Sequence, residues 1–243
     1  SQQLVQDLSK QLRIKQKQPL PSSSSSEDVP SPVFDLPDPP TPSAPSRSFK
    51  DKWANKLHQF PGFKGLPSRL LDRVLPGTWK RQNERIYGQG PLILCLYAGD
   101  DDGTSTKSAF KEFAPGLSDY ILELDTCRKL PYHDILDDSN FQELLTLANE
   151  GQIMGITGGP NCRTWSLLRH FPKKGFPGVV RDRQGPGVWG KQGLSPAEQE
   201  DVDKDSLLLL RMLLLFAVAC AAEDGLEPFF PLEHPSDPSL YSG

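Results

Sequence analysis

Four short, mainly apolar runs, each ending at once on glycine or a carboxylate, constrain this chain more than any other feature of it. Leu92 to Tyr97 ends at Ala98-Gly99, and Tyr120-Ile121-Leu122-Glu123-Leu124 ends at Asp125. Ile153-Met154-Gly155-Ile156-Thr157 ends at Gly158-Gly159-Pro160, and Phe229-Phe230-Pro231-Leu232 ends at Glu233. Runs of this length without polar alternation are the pattern of strands covered on both faces, as in a parallel sheet. Helical segments separate them. One runs from Thr104 to Ala114, with Thr104 or Ser105 as N-cap. A second is capped by Ser139, runs to about Asn149 and is stopped by Gly151. A third starts at Ser195-Pro196 with a capping box closed by Glu198 and runs to about Glu223. Alternating strands and helices predict an α/β fold built on a doubly wound, mostly parallel sheet.

The rest of the chain differs in composition. Prolines and serines crowd residues 18–48, which cannot bury enough apolar surface to offset chain entropy and read as a disordered linker. Before it, Leu4, Val5, Leu8 and Leu12 have helical spacing. Residues 49–90 read as a lead-in of two short helices, and residues 91–243 as the α/β domain. The chain is expected to be a piece of a longer one, with flanking domains. Residues 1–90 carry a balance of +6 and residues 91–243 one of −10. The basic arm is either a solvated linker or a polyanion contact, and the acidic domain alone would attract a polyanion only weakly.

Several classes are excluded. Cys95, Cys127, Cys162 and Cys220 have no CxxC spacing, and the four histidines complete no zinc pattern, so no metal is expected. Isolated cysteines in apolar runs and the lack of an N-terminal apolar h-region point to an intracellular protein, nuclear or cytoplasmic. The apolar run from Leu207 to Ala222 is 16 residues long and holds Arg211, so a buried core helix is expected and not a membrane span. The segment Gly99 to Ser108 has a phosphate-loop outline, but Thr106 stands where that loop needs glycine before Lys107. Asp100, Asp101 and Asp102 would also repel a triphosphate.

Ligands of open α/β sheets bind outside the carboxyl ends of the strands. There, Gly99 and Gly103 allow close backbone approach, and Asp125, or Glu123 if the register differs, can accept from a ribose diol. The rigid turn Gly158-Gly159-Pro160-Asn161 can present Cys162, with Arg163 or Arg169 favouring its thiolate. Glu233 can share a proton with a ring nitrogen while a ring is attacked.

Together these residues resemble the C5 cytosine DNA methyltransferase family. Tyr97-Ala98-Gly99 resembles its Phe-Ala-Gly cofactor turn. Gly159-Pro160-Asn161-Cys162-Arg163-Thr164-Trp165-Ser166 resembles its Gly-Pro-Pro-Cys-Gln-x-Phe-Ser loop, with Asn161 in place of the second proline. Leu232-Glu233-His234-Pro235 resembles its Glu-Asn-Val segment. Arg181-Asp182-Arg183 and Trp189-Gly190 are similar to stretches in divergent, retroelement-associated protist and algal members. The resemblance implies a Rossmann-like methyltransferase fold, S-adenosylmethionine as cofactor and flipped-out cytosine in DNA as substrate. It implies Cys162 as nucleophile and Glu233 as partner of ring N3. It implies Asp125 at the cofactor ribose, Tyr97, Ala98 and Gly99 at its methionine portion, and Asp134 or Asp137 at the adenine. Gly103 and Pro160 are carried over as cofactor-side residues, and Arg163 as a catalytic one. Arg181 and Arg183 either face phosphates or solvate their loop. The alternative is a non-catalytic module of a larger polyprotein with the same fold.

Overall fold

The computed structural model describes residues 65–77, 86–88, 90–100, 103–170, 177–222 and 227–233, together with Phe63, Lys174 and Gly175. The amphipathic segment and linker expected over 1–48 lie outside these residues. Of the two lead-in helices expected over 49–90, one is described, α1 (Ser68–Val74).

Three of the four apolar runs form strands, β1 (Leu92–Leu96), β2 (Ile121–Leu124) and β3 (Ile153–Gly158). They are parallel, in the order β2-β1-β3, with Ile93 opposite Ile121 and Leu96 opposite Gly158. β1 stops one residue short of its apolar run. Tyr97 turns out of it at φ 62°, a conformation uncommon for a bulky side chain. Its amide donates to the Leu124 carbonyl at 2.7 Å and its hydroxyl to the Leu208 carbonyl at 2.7 Å.

The fourth run does not complete a strand. Phe229 and Leu232 each make a single parallel bridge, to Gly155 and Gly158. Pro231, between them, has no N–H to continue a ladder. The segment still docks alongside β3, through Ile156 N–H to the Phe229 carbonyl at 3.0 Å and Glu233 N–H to the Gly158 carbonyl at 3.0 Å. Gly155 makes the docking possible, because a Cβ there would lie 2.2 Å from the Phe229 ring.

Helices lie on both faces of the sheet, as strands buried on both sides require. After β1, α2 (Thr106–Phe113) and α3 (Pro115–Ser118) cover one face. There Phe110 and Leu117 pack with Ile93, Cys95, Ile121 and Met154. On the other face α4 (Asp138–Asn149) and α5 (Pro196–Cys220) pack with α1. Phe141, Leu144, Leu145, Leu210 and Leu214 meet Leu92, Leu94, Leu96 and Ile156 in that core. Fully burying one such side chain contributes about 1.5–3 kcal/mol.

Local capping explains the helix starts. Ser105, the second of the two candidates, caps α2 by accepting from the Ser108 amide at 3.3 Å. Asp137, and not Ser139, caps α4, taking the Ser139 and Asn140 amides at 2.9 and 3.1 Å. A carboxylate accepts more strongly and suits the positive end of the helix dipole. α5 has its capping box, with Ser195 N–H on Glu198 at 2.9 Å and Glu198 N–H on Ser195 Oγ at 3.3 Å. It ends at Cys220, short of the Glu223 expected, and Glu223 lies outside the described residues.

The apolar run of α5 is core. Arg211 interrupts it, 4 % exposed, and ties three elements together. Its guanidinium donates to Asp138 at 2.6 Å, to the Ile135 carbonyl at 2.8 Å and to the Arg73 carbonyl at 3.0 Å. Among the described residues no helix is long and apolar enough to cross a membrane.

Candidate functional site

The strand order β2-β1-β3 means that the chain leaves β1 to one side and returns on the other. The carboxyl ends of β1 and β3 are therefore the crevice where such sheets take ligands. Most of the candidate residues line this edge.

At its β2 end, Asp125 is half-buried and caps the short turn Thr126–Arg128. Its carboxylate accepts the Gly99 amide at 2.9 Å and the Cys127 amide at 2.9 Å. Partial burial would raise this carboxyl. The two amides and Arg128 outweigh it and hold Asp125 below the ordinary carboxylate value. Arg128 also donates to the Gly99 carbonyl at 2.8 Å, so the Gly99 peptide is held from both sides. Gly99 sits at φ 77°, and among the described residues nothing lies within 4 Å of where a Cβ on it would stand. Ala98 is half-buried in the same turn and Gly103, exposed at φ 84°, closes it.

Glu123, the other candidate for a ribose acceptor, is already occupied. It is buried, pairs with Arg128 at 2.9 Å and accepts the Lys107 amide at 2.6 Å at the start of α2. Asp134 follows the turn Pro131–His133, which approaches Asp125 through His133 Nδ1 and the Asp125 amide at 3.2 Å. The Asp134 carboxylate accepts the Leu136 amide at 2.8 Å, while Asp137 is committed to the α4 cap.

At the β3 end, Gly158 passes so close to β1 that a Cβ would lie 2.1 Å from the Leu96 carbonyl oxygen. Glu233 comes to the same place from the docked segment. Its Cβ and Oε2 each lie 3.4 Å from where a Cβ on Gly159 would stand. His234 and Pro235 lie outside the described residues. Pro160 is buried and Cys162 exposed, two residues on. Asn161 shapes the turn between them by accepting the Arg163 amide at 3.1 Å, and Trp165 N–H closes it on the Cys162 carbonyl at 2.9 Å.

In the other three cysteines the thiol is held above its ordinary value. Burial and then Glu123 push the Cys95 thiol up to about 12. Local desolvation, Asp125 and Asp100 push Cys127 up to about 12, and burial raises Cys220.

The arginines near this loop are engaged by other parts of the chain. Arg163 pairs with Asp201 of α5 at 2.7 Å, and Arg169 donates to the Arg163 and Gly178 carbonyls at 2.6 and 2.9 Å. Arg181 neither faces phosphates nor solvates its loop, being 3 % exposed. It donates to Thr164 Oγ1 at 2.9 Å, to the Val202 and Val188 carbonyls at 2.8 and 2.9 Å and to Ser206 Oγ at 3.0 Å. Its guanidinium lies 3.6 Å from the centre of the Trp165 ring, which meets Trp189 edge-on. Burial pulls its pKa down to about 9, against Asp205 and Asp203, so it is a cation at neutral pH. Asp205 completes the cluster, accepting the Thr164 hydroxyl at 2.7 Å and amide at 3.1 Å. Sequence reasoning missed this clamp. Its one visible signal was Asp205-Ser206 abutting the leucines of a helix with no solvent-facing role for them.

Compared with family models, with curated proteins and with solved structures, the chain matches none of them.

Proposed function

We propose that this chain carries an S-adenosylmethionine-dependent methyltransferase-like domain of doubly wound, Rossmann-like type, acting on C5 of cytosine in DNA. One observation carries the reading. Asp125, the Gly99 turn, the Gly159 loop and Glu233 follow one another along a single carboxyl edge, across strands in the order β2-β1-β3. That edge has an acceptor for a diol at Asp125 and, among the described residues, room over Gly99 for a close-lying ligand. When bound, the cofactor would supply the methyl group, and Asp125 would hold its ribose, Tyr97, Ala98 and Gly99 its methionine end and Asp134 its adenine.

In this reading the Cys162 thiolate adds to cytosine C6 while Glu233 shares a proton with N3. The electron-rich C5 would then take the methyl group as its bond to the sulfonium breaks, leaving S-adenosylhomocysteine. Loss of the C5 proton expels Cys162 and restores the ring. Besides the buried Arg181, the segment 167–195 holds five basic residues against one acidic, in a domain of balance −10, a composition that supports an approach of phosphates to it.

A second reading is a non-catalytic module of a larger polyprotein that binds nucleic acid through its basic segments. One observation favours it: Arg163 pairs with Asp201 at 2.7 Å and so does not offer its charge to the thiol alone.

Calorimetric titration of the full chain with S-adenosylhomocysteine separates the two. Micromolar binding, lost in Asp125→Ala, is expected of the enzyme. A folded chain that binds none selects the second reading.

A further inference from the structure

We infer that Arg181 is a positioning residue for Cys162, an assignment that rests on the reading of Cys162 as the nucleophile. The thiol stands on an exposed turn, and a nucleophile there needs its backbone fixed from both sides. On the N-terminal side, buried Pro160 and the Gly158 carbonyl, bonded to Glu233 N–H at 3.0 Å, do this. On the C-terminal side there is no strand or helix until a turn at Leu167–His170. The fixing comes from Arg181 and Asp205. Asp205 takes both the amide and the hydroxyl of Thr164. Arg181 grips the same hydroxyl and covers the ring of Trp165, whose amide closes the turn on Cys162.

The clamp is anchored to α5 through the Val202 carbonyl and Ser206. Two residues beyond Ser206 along that helix, the Leu208 carbonyl receives the Tyr97 hydroxyl. One stretch of α5, residues 202–208, therefore holds both the turn after β1 and the loop after β3. Arg181 sets the Cys162 backbone against the Gly99 turn through that shared helix. A lysine has a single ammonium and cannot reach Thr164, Val188, Val202 and Ser206 together.

The test is the rate of covalent adduct formation between the full chain and a duplex containing 5-fluorocytosine, with S-adenosylmethionine present. Duplex affinity is measured separately. The variants are Arg181→Lys and the double variant Arg181→Met with Asp205→Asn, which leaves no buried carboxylate without its cation. Arg211→Lys loosens a buried guanidinium on the same helix away from the loop and serves as the stability control. Each is assayed below its own melting transition.

A misplacement of about 1 Å costs roughly a hundredfold in rate, so the double variant is expected to slow by about that factor. Its duplex affinity is expected to stay near that of the wild type, Arg181→Lys to recover part of the rate, and Arg211→Lys to keep it. A double variant at the wild-type rate, or an equal loss in Arg211→Lys, overturns the positioning role alone. A wild-type chain that forms no adduct overturns the cytosine reading itself, and the role of Arg181 falls with it.

Discussion

The Asp125 carboxylate accepts the Gly99 amide at 2.9 Å, joining the end of β2 to the turn that follows β1. Asp125 is therefore part of the framework of the site as well as its proposed acceptor for a diol. Asp125→Ala is expected to abolish S-adenosylhomocysteine binding and to lower stability by about 1–3 kcal/mol, as the amides of Gly99 and Cys127 lose their partner. Calorimetry and urea unfolding read the two effects separately.

The same bonds give a pH dependence. The carboxyl lies lower in the folded chain than in the unfolded one, because the amides and Arg128 outweigh its burial. Its contribution is thus fully present above the unfolded carboxyl value, about 3.9, and is lost as pH falls through the lower folded value. Unfolding free energies between pH 6 and pH 2 are expected to fall more steeply for the wild type than for Asp125→Asn. Parallel curves would contradict the assignment.

Gly155 and Phe229 are expected to be energetically coupled. A methyl on Gly155 would lie 2.2 Å from the Phe229 ring, so Gly155→Ala must displace the segment that delivers Glu233. The expected cost is about 1–3 kcal/mol, typical of overpacking. A double-mutant cycle with Phe229→Ala is expected to recover part of it, whereas additive losses would show that the two do not share one space.

Removing Asp205 leaves the Thr164 amide and hydroxyl without their acceptor and takes a carboxylate away from the neighbourhood of Arg181. Asp205→Ala is expected to destabilise the fold by about 1–3 kcal/mol, the scale for buried donors left without their acceptor. Asp205→Asn, which can still accept from Thr164, is expected to lose less. Chemical denaturation of both variants checks this, and equal losses would show that acceptance from Thr164 is immaterial.

Much of the fold was legible because strands buried on both faces are written as unbroken apolar runs. β1, β2 and β3 follow them to within a residue or two. The departures have local causes. Tyr97 turns at positive φ to reach Leu208, Asp137 outcompetes Ser139 as a cap, and Pro231 breaks the ladder of the last run. The edge holding Asp125, Gly99, Gly159 and Glu233 was legible because each residue directly ends or follows an apolar run. The Arg181 clamp was not. It joins Thr164 to Asp205 across 41 positions and to Arg181 across 17, and pairing over such distances leaves no periodicity to read. Arg128, which reaches the Gly99 carbonyl across 29 positions, was hidden for the same reason.

The central claim is that Cys162 attacks cytosine with Glu233 on the same ring. Incubating the full chain with S-adenosylmethionine and a duplex carrying 5-fluorocytosine tests it most directly, because fluorine cannot leave C5 and the thioether to C6 persists. The wild type is expected to give a denaturant-stable adduct, Cys162→Ser none and Glu233→Gln a much slower one. A folded wild-type chain that binds the duplex and S-adenosylmethionine yet yields no adduct would contradict it.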